Sequence, residues 1–271
     1  MSVALRRRSL VRVLGVGLGL AVLSSAGHAD HSWGNYHWAR SSNPLNLQVG
    51  DNVSSAWDAY LDGALSDWNQ SQVLNLTEVA GGARPRNCRP TTGRIEACNA
   101  TYGNNGWLGI AQIWVSGSHI TKATTKVNDT YFNTAQYNTP AWRRLVMCQE
   151  IAHDFGLDHQ DETFDNPNLG TCMDYTSDPD GPPSNEHPNN HDYEQLETIY
   201  GHTDAALAGA QAPAAMDQID FATPAQWGRL VRSINDGRSE LYELDFGGGH
   251  KVFTHVTWID EYRGRGQARE R

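Results

Sequence analysis

Apolar and polar positions follow two rhythms along this chain, and together they predict a mixed set of strands and helices. "LNLQVG" (45–50) alternates as a strand with one buried face does. "SSAWDAYLDGALSDWNQS" (54–71) instead places Trp57, Tyr60, Leu61, Ala64, Leu65 and Trp68 at helical spacing. Strands follow at "VLNLTEVA" (73–80) and "RIEACNA" (94–100), and then an adjacent pair, "GWLGIAQIWV" (106–115) and "HITKATTKVN" (119–128), joined by "SGS". "TPAWRRLVMCQEIAHDFG" reads as a helix with Thr139 as N-cap, Pro140 at its first position and Gly156 as its stop. A last helix, "HDYEQLETIYGH", has Asp192 and Gln195 in capping-box spacing and one stripe of Tyr193, Leu196, Ile199 and Tyr200.

The rhythm changes near residue 203. "TDAALAGAQAPAAMDQID" is rich in Ala and polar residues and reads as a tether over 203–225. Residues 226–271 then form a small β segment, with "WGRLVRSI", "SELYELDF" and "HKVFTHVTWI" around "NDG" and "GGG" turns and a basic tail. Three strands of this size need a partner surface to be stable. At the other end, residues 1–29 combine early arginines, an apolar run and small residues near Ala29, the layout of a secretory leader. The expected organisation is a leader (1–29), an α+β domain (30–202), the tether and the β segment, in a secreted, extracellular protein.

The chain carries a formal net charge of −10, and the four leader arginines make the remainder more acidic still. Such a surface argues against nucleic acid or an anionic membrane as partner, because both select clustered Lys and Arg. Carboxylate-rich loops at "DETFDNPN" and "SDPDGPPSNEH" read either as structural Ca2+ loops or as solvated ones. Cys88, Cys98, Cys148 and Cys172 form an even set, so two disulfides are expected, with three pairings open and the short Cys88–Cys98 loop favoured.

The chemistry concentrates in "MCQEIAHDFGLDHQD" (147–161). Gln149 and His153 lie four apart on a helix and share a face, with Glu150 a third of a turn away. Gly156 ends the helix where positive φ is needed, and His159 returns from the other side. Two imidazoles and a third donor around an open position is the layout of catalytic Zn2+.

This stretch resembles the metzincin metalloproteases, matrixins in particular, whose motif is H-E-x-x-H-x-x-G-x-x-H. Gln149 stands in place of the first histidine, while Glu150, His153, Gly156 and His159 match. "GTCMDY" supplies the expected methionine turn at Met173. The likeness spans roughly residues 35–202. It implies a mixed five-stranded sheet, an active-site helix, the Met-turn and a C-terminal helix, with the β segment outside it. It also implies zinc on His153 and His159 with Gln149 as the third ligand and Glu150 as general base. Tyr175, two places after Met173, would be a further ligand or an oxyanion donor, or else a structural tyrosine. His187, His191 and His202 are alternative third ligands. The positions of Cys148 beside Gln149 and of Cys172 beside Met173 favour a bridge that clamps the two walls of the site.

The function expected is a secreted zinc endopeptidase whose extended peptide or protein substrate pairs along "GWLGIAQIWV". The rival is a catalytically silent shell of the same fold that binds peptides without turnover.

Overall fold

The computed structural model describes residues 31–204, 212–217, 223–234 and 237–260. The leader, much of the tether and the basic tail lie outside these residues. Nine strands join in one sheet: β1 (His37–Trp38), β2 (Leu45–Asn52), β3 (Leu74–Ala80), β4 (Arg94–Ala100), β5 (Trp107–Ser116), β6 (His119–Asn128), β7 (Arg229–Ile234), β8 (Ser239–Asp245) and β9 (His250–Trp258). The helices are α1 (Asp58–Trp68), α2 (Asp129–Phe132), α3 (Pro140–His153) and α4 (Asn190–Tyr200). The fold is therefore α+β with a mixed sheet.

The strand order is β3-β2-β4-β6-β5-β9-β8-β7, with β1 added alongside β6. β2, β3, β4 and β6 run parallel, while β5 pairs antiparallel to β6. On one face α1 and α3 pack through Leu61, Leu65, Trp68, Leu145, Ile151 and Phe155, all buried in the main core. α3 begins as expected: the Thr139 side chain accepts from the Trp142 N–H and Pro140 opens the helix. It ends because Gly156 turns at φ +99, where an added Cβ would meet the Tyr36 carbonyl at 2.5 Å. α4 starts one turn earlier than the capping box read from Asp192 and Gln195. Asn189 is the actual N-cap, and the Asp192 side chain returns the bond to the Asn189 N–H, which satisfies two orphan donors at once.

The larger correction concerns β5. The expected substrate lane is already filled, because β9 pairs antiparallel along its length, from Trp107↔Trp258 to Ser116↔His250. The C-terminal strands thus find their partner surface in the main sheet itself. Trp107, Ile110 and Trp114 of β5 meet Val252, Val256, Trp258, Tyr242 and Trp227 in a second core. Val252 and Val256 are wholly buried, each contributing about 1.5–3 kcal/mol. A polar line crosses three strands here: Lys126 Nζ donates to Gln112 Oε1 (3.1 Å), and Gln112 Nε2 to Thr254 Oγ1 (3.0 Å).

Both disulfides join the favoured partners, Cys88–Cys98 and Cys148–Cys172. The second ties α3 to the turn bearing Met173, which is fully buried in the main core.

Candidate metal centre

α3 delivers Gln149, Glu150 and His153 to one end of the sheet. The His153 Nδ1 lies 2.8 Å from the Leu157 carbonyl, which places the ring proton there and leaves Nε2 as a lone pair. That Nε2 is buried without a hydrogen bond. After the reversal at Gly156, His159 arrives with its ring stacked on Tyr175 at 4.0 Å between centroids. Neither of its ring nitrogens makes a hydrogen bond, although Nδ1 is 3.4 Å from the Asp158 carboxylate.

The third imidazole comes from β9. His255 is fully buried, with ring centroids 4.1 Å from His153 and 4.8 Å from His159. Its Nε2 faces the Ser239 hydroxyl (3.0 Å) and the Tyr175 hydroxyl (3.3 Å). With the proton on Nε2, Nδ1 keeps its lone pair, and Nδ1 too is buried without a hydrogen bond. One nitrogen from each of His153, His159 and His255 falls within 4.8 Å of the others. A tetrahedral zinc at 2.0–2.1 Å needs edges of about 3.4 Å, so the rings would draw together on an ion. Burial, and then the neighbouring imidazoles, hold His153 and His255 well below the ordinary histidine range. Burial also lowers His159, against the pull of Asp158. All three are neutral and in ligand form. Unpaired buried lone pairs are costly in a fold, and a cation relieves all three together, so the residues fit a divalent metal.

Gln149, expected as the third donor, is engaged through its amide nitrogen. Its Nε2 donates to the Cys172 carbonyl (3.0 Å), and its Oε1 lies 3.2 Å from Thr257 Oγ1, whose single proton goes to the nearer Glu150 Oε1 (2.8 Å). The amide nitrogen is anchored at the Cys172 turn, and the third imidazole of the group is His255. None of the alternative histidines enters the centre. His187 pairs with Asp67 (2.7 Å), His191 stacks on His31, and His202 lies beside Asp204.

Glu150 is completely buried. Its Oε1 accepts from Thr257 Oγ1 (2.8 Å), while Oε2 has no hydrogen bond and lies 3.9 Å from His255 Nδ1. Burial pushes its carboxyl up to about 8, opposed by the Thr257 bond. Room for this side chain depends on Gly109 in β5, where a Cβ would sit 2.4 Å from Glu150 Oε1. Tyr175 contacts two of the imidazoles, and burial holds its phenol well above the ordinary range, so the hydroxyl keeps its proton. The calcium reading gains no support. Glu162 of "DETFDNPN" turns to Arg232 (3.2 Å), and "SDPDGPPSNEH" gathers no group of three acidic or imidazole ligands among the described residues.

Sequence reasoning missed His255, Thr257 and Gly109. The signal for the first was present as a histidine inside the apolar run "HKVFTHVTWI".

No protein family matches the chain, and no curated protein matches it. Among solved structures, the chain is similar to high choriolytic enzyme 1, a hatching-enzyme zinc protease from the medaka fish Oryzias latipes. The identity is 12%, the match covers 47% of this chain and 52% of that chain, and the TM-score is 0.26. The match thus spans about half of each chain, and the reading of function rests on the residues themselves.

Proposed function

We propose that the protein is a secreted zinc-dependent hydrolase of peptide bonds, with the metal held by His153, His159 and His255. The observation that carries this reading is the meeting of three buried imidazoles, each with a ring nitrogen that makes no hydrogen bond, beside the unpaired oxygen of Glu150. A zinc ion on these ligands would supply Lewis acidity, polarising a carbonyl and acidifying water. Glu150 is the proton carrier: Thr257 fixes Oε1, and Oε2 is left to take a proton and hand it on. Tyr175 offers a protonated hydroxyl to developing negative charge. A narrow cleft of about 20 Å³ borders Gln149, Tyr175 and Thr257 and is walled by Trp142, Leu145, Val146 and Trp258, so its apolar walls would have to part to admit a substrate side chain.

A substrate would approach from this cleft and not along β5, because β9 already occupies that strand. Lifting β9 would free the lane but carry His255 away. That coupling favours a second reading, a silent or latent shell that keeps its metal without turnover.

Zinc content of the purified chain, followed by chelator-sensitive hydrolysis of an unfolded protein substrate, separates the two. Hydrolysis that is lost in Glu150→Ala supports the enzyme. Zinc retained, with no hydrolysis above that variant, supports the shell.

A further inference from the structure

A second group of donors lies apart from the first and shares no residue with it. His37 on β1, His119 at the start of β6, and His202 and Asp204 just after α4 converge on one carboxylate oxygen. Asp204 Oδ1 is 3.4 Å from His37 Nε2, 3.2 Å from His119 Nε2 and 3.3 Å from His202 Nε2. His37 Nε2 and His202 Nε2 are themselves 3.2 Å apart. Four ligand atoms at 2.0–2.1 Å from a tetrahedral ion have mutual separations of about 3.3–3.4 Å. These four spacings are of that size, and the donor atoms of His37, His119 and Asp204 all lie within 4.8 Å of one another.

The surrounding hydrogen bonds aim the donors inward. His37 Nδ1 lies 2.7 Å from the Asn35 carbonyl, which takes the ring proton and leaves Nε2 as a lone pair. Asp204 Oδ2 accepts from the Arg40 N–H (2.8 Å), so Oδ1 is the oxygen left facing the rings. His119 Nε2 is buried and makes no hydrogen bond, although it is the nearest nitrogen to that oxygen. His37 Nε2 meets Asp204 Oδ1 at 3.4 Å and His202 Nε2 at 3.2 Å, so with its proton on Nδ1 it faces the carboxylate as a lone pair. Only added protons or a cation make such an arrangement favourable. Nitrogen donors with one carboxylate select zinc or a similar transition ion over calcium or magnesium.

We infer that His37, His119 and Asp204, closed at the surface by His202, form a second zinc site with a structural role. His202 is the exposed member, its side chain about half open to solvent, while His37 and Asp204 are mostly covered. An ion here would staple β1 and the segment after α4 to β6. The chain just before β1 packs behind the first centre: Trp33 N–H bonds to the Gly156 carbonyl (3.0 Å), and the Trp33 ring stacks on His153. The staple thus holds the backing of the turn that carries His153 and His159.

The test is zinc stoichiometry of the purified chain, free of any histidine tag, after equilibration with zinc and desalting. His119→Ala should lose one equivalent that His153→Ala retains, and the double variant should hold none. His202→Ala alters an exposed side chain and leaves the fold undisturbed. It should weaken the same equivalent at least tenfold and lower the zinc-dependent rise in Tm. Cobalt in place of zinc adds a spectroscopic readout, since the visible bands lost in His119→Ala should differ from those lost in His153→Ala. Zinc content and cobalt spectrum both unchanged in His119→Ala and His202→Ala would overturn the second site. A chain that loses its zinc only with His153→Ala overturns it as well, while leaving the first centre intact.

Discussion

His153 and His255 stand with ring centroids 4.1 Å apart, one closing α3 and the other inside the last strand of the sheet. The C-terminal segment is thus joined to the main sheet through β5 and brings His255 into the candidate centre. His255→Ala should cost zinc affinity as much as His153→Ala, beyond the roughly 10–100-fold typical of a supporting residue. Competition against a chromophoric chelator measures both. Wild-type affinity in His255→Ala would remove β9 from the metal site.

Gln149 now predicts the opposite of what its place in the motif implies. Its amide nitrogen donates to the Cys172 carbonyl, so Gln149→Ala leaves that buried acceptor unpaired. The expected cost is about 1–3 kcal/mol of stability, with zinc content unchanged. Gln149→His, which would complete the familiar motif, should lower Tm by breaking the bond to the Cys172 carbonyl without tightening zinc. A tenfold gain in affinity would restore Gln149 to the ligand set.

Gly109→Ala separates the base from the ligands. The new methyl would sit 2.4 Å from Glu150 Oε1 and 2.8 Å from Val146 Cγ1, so Glu150 must shift. Overpacking of this kind costs about 1–3 kcal/mol. Zinc uptake should persist while hydrolysis falls at least tenfold at saturating substrate, because the methyl displaces Glu150 and Val146 and meets none of the three histidines. Parallel loss of zinc would mean that Gly109 supports the ligands as well.

The helix carrying Glu150 and His153, the reversal at Gly156 and both cysteine pairs were legible in the sequence, because each depends on local spacing or chain position. The place of β9 was not, since strand pairing across a tether leaves no periodic mark. One hint was available in "GWLGIAQIWV". Strands open on one side alternate, whereas this run is apolar almost throughout, as expected of a strand covered on both faces. Every residue from Trp107 to Val115 is in fact buried. The Asp204 cluster was hidden for a similar reason: its donors come from the start of β1, the start of β6 and the end of α4, and only the fold brings them together.

Glu150 also sets a pH dependence for the metal-free protein. Burial raises its folded carboxyl to about 8, against roughly 4.3 in an unfolded chain. A carboxyl raised in this way contributes stability that is complete below the unfolded value and is lost as pH rises through the folded one. Chelated wild type should therefore weaken between pH 5 and 8 by up to about 1.4 kcal/mol per pH unit from this group alone. Glu150→Gln cannot ionise, so the difference between the two curves reports Glu150 together with the buried Asp154, whose carboxyl is raised by burial and in part by Glu150. Zinc should flatten the wild-type curve, because a nearby cation favours the carboxylate. Denaturant midpoints at pH 5, 6.5 and 8, taken with chelator and with zinc, give the comparison. Parallel curves for wild type and Glu150→Gln in chelator would show that Glu150 is already ionised in the metal-free protein, and that water or a bound ion reaches it there.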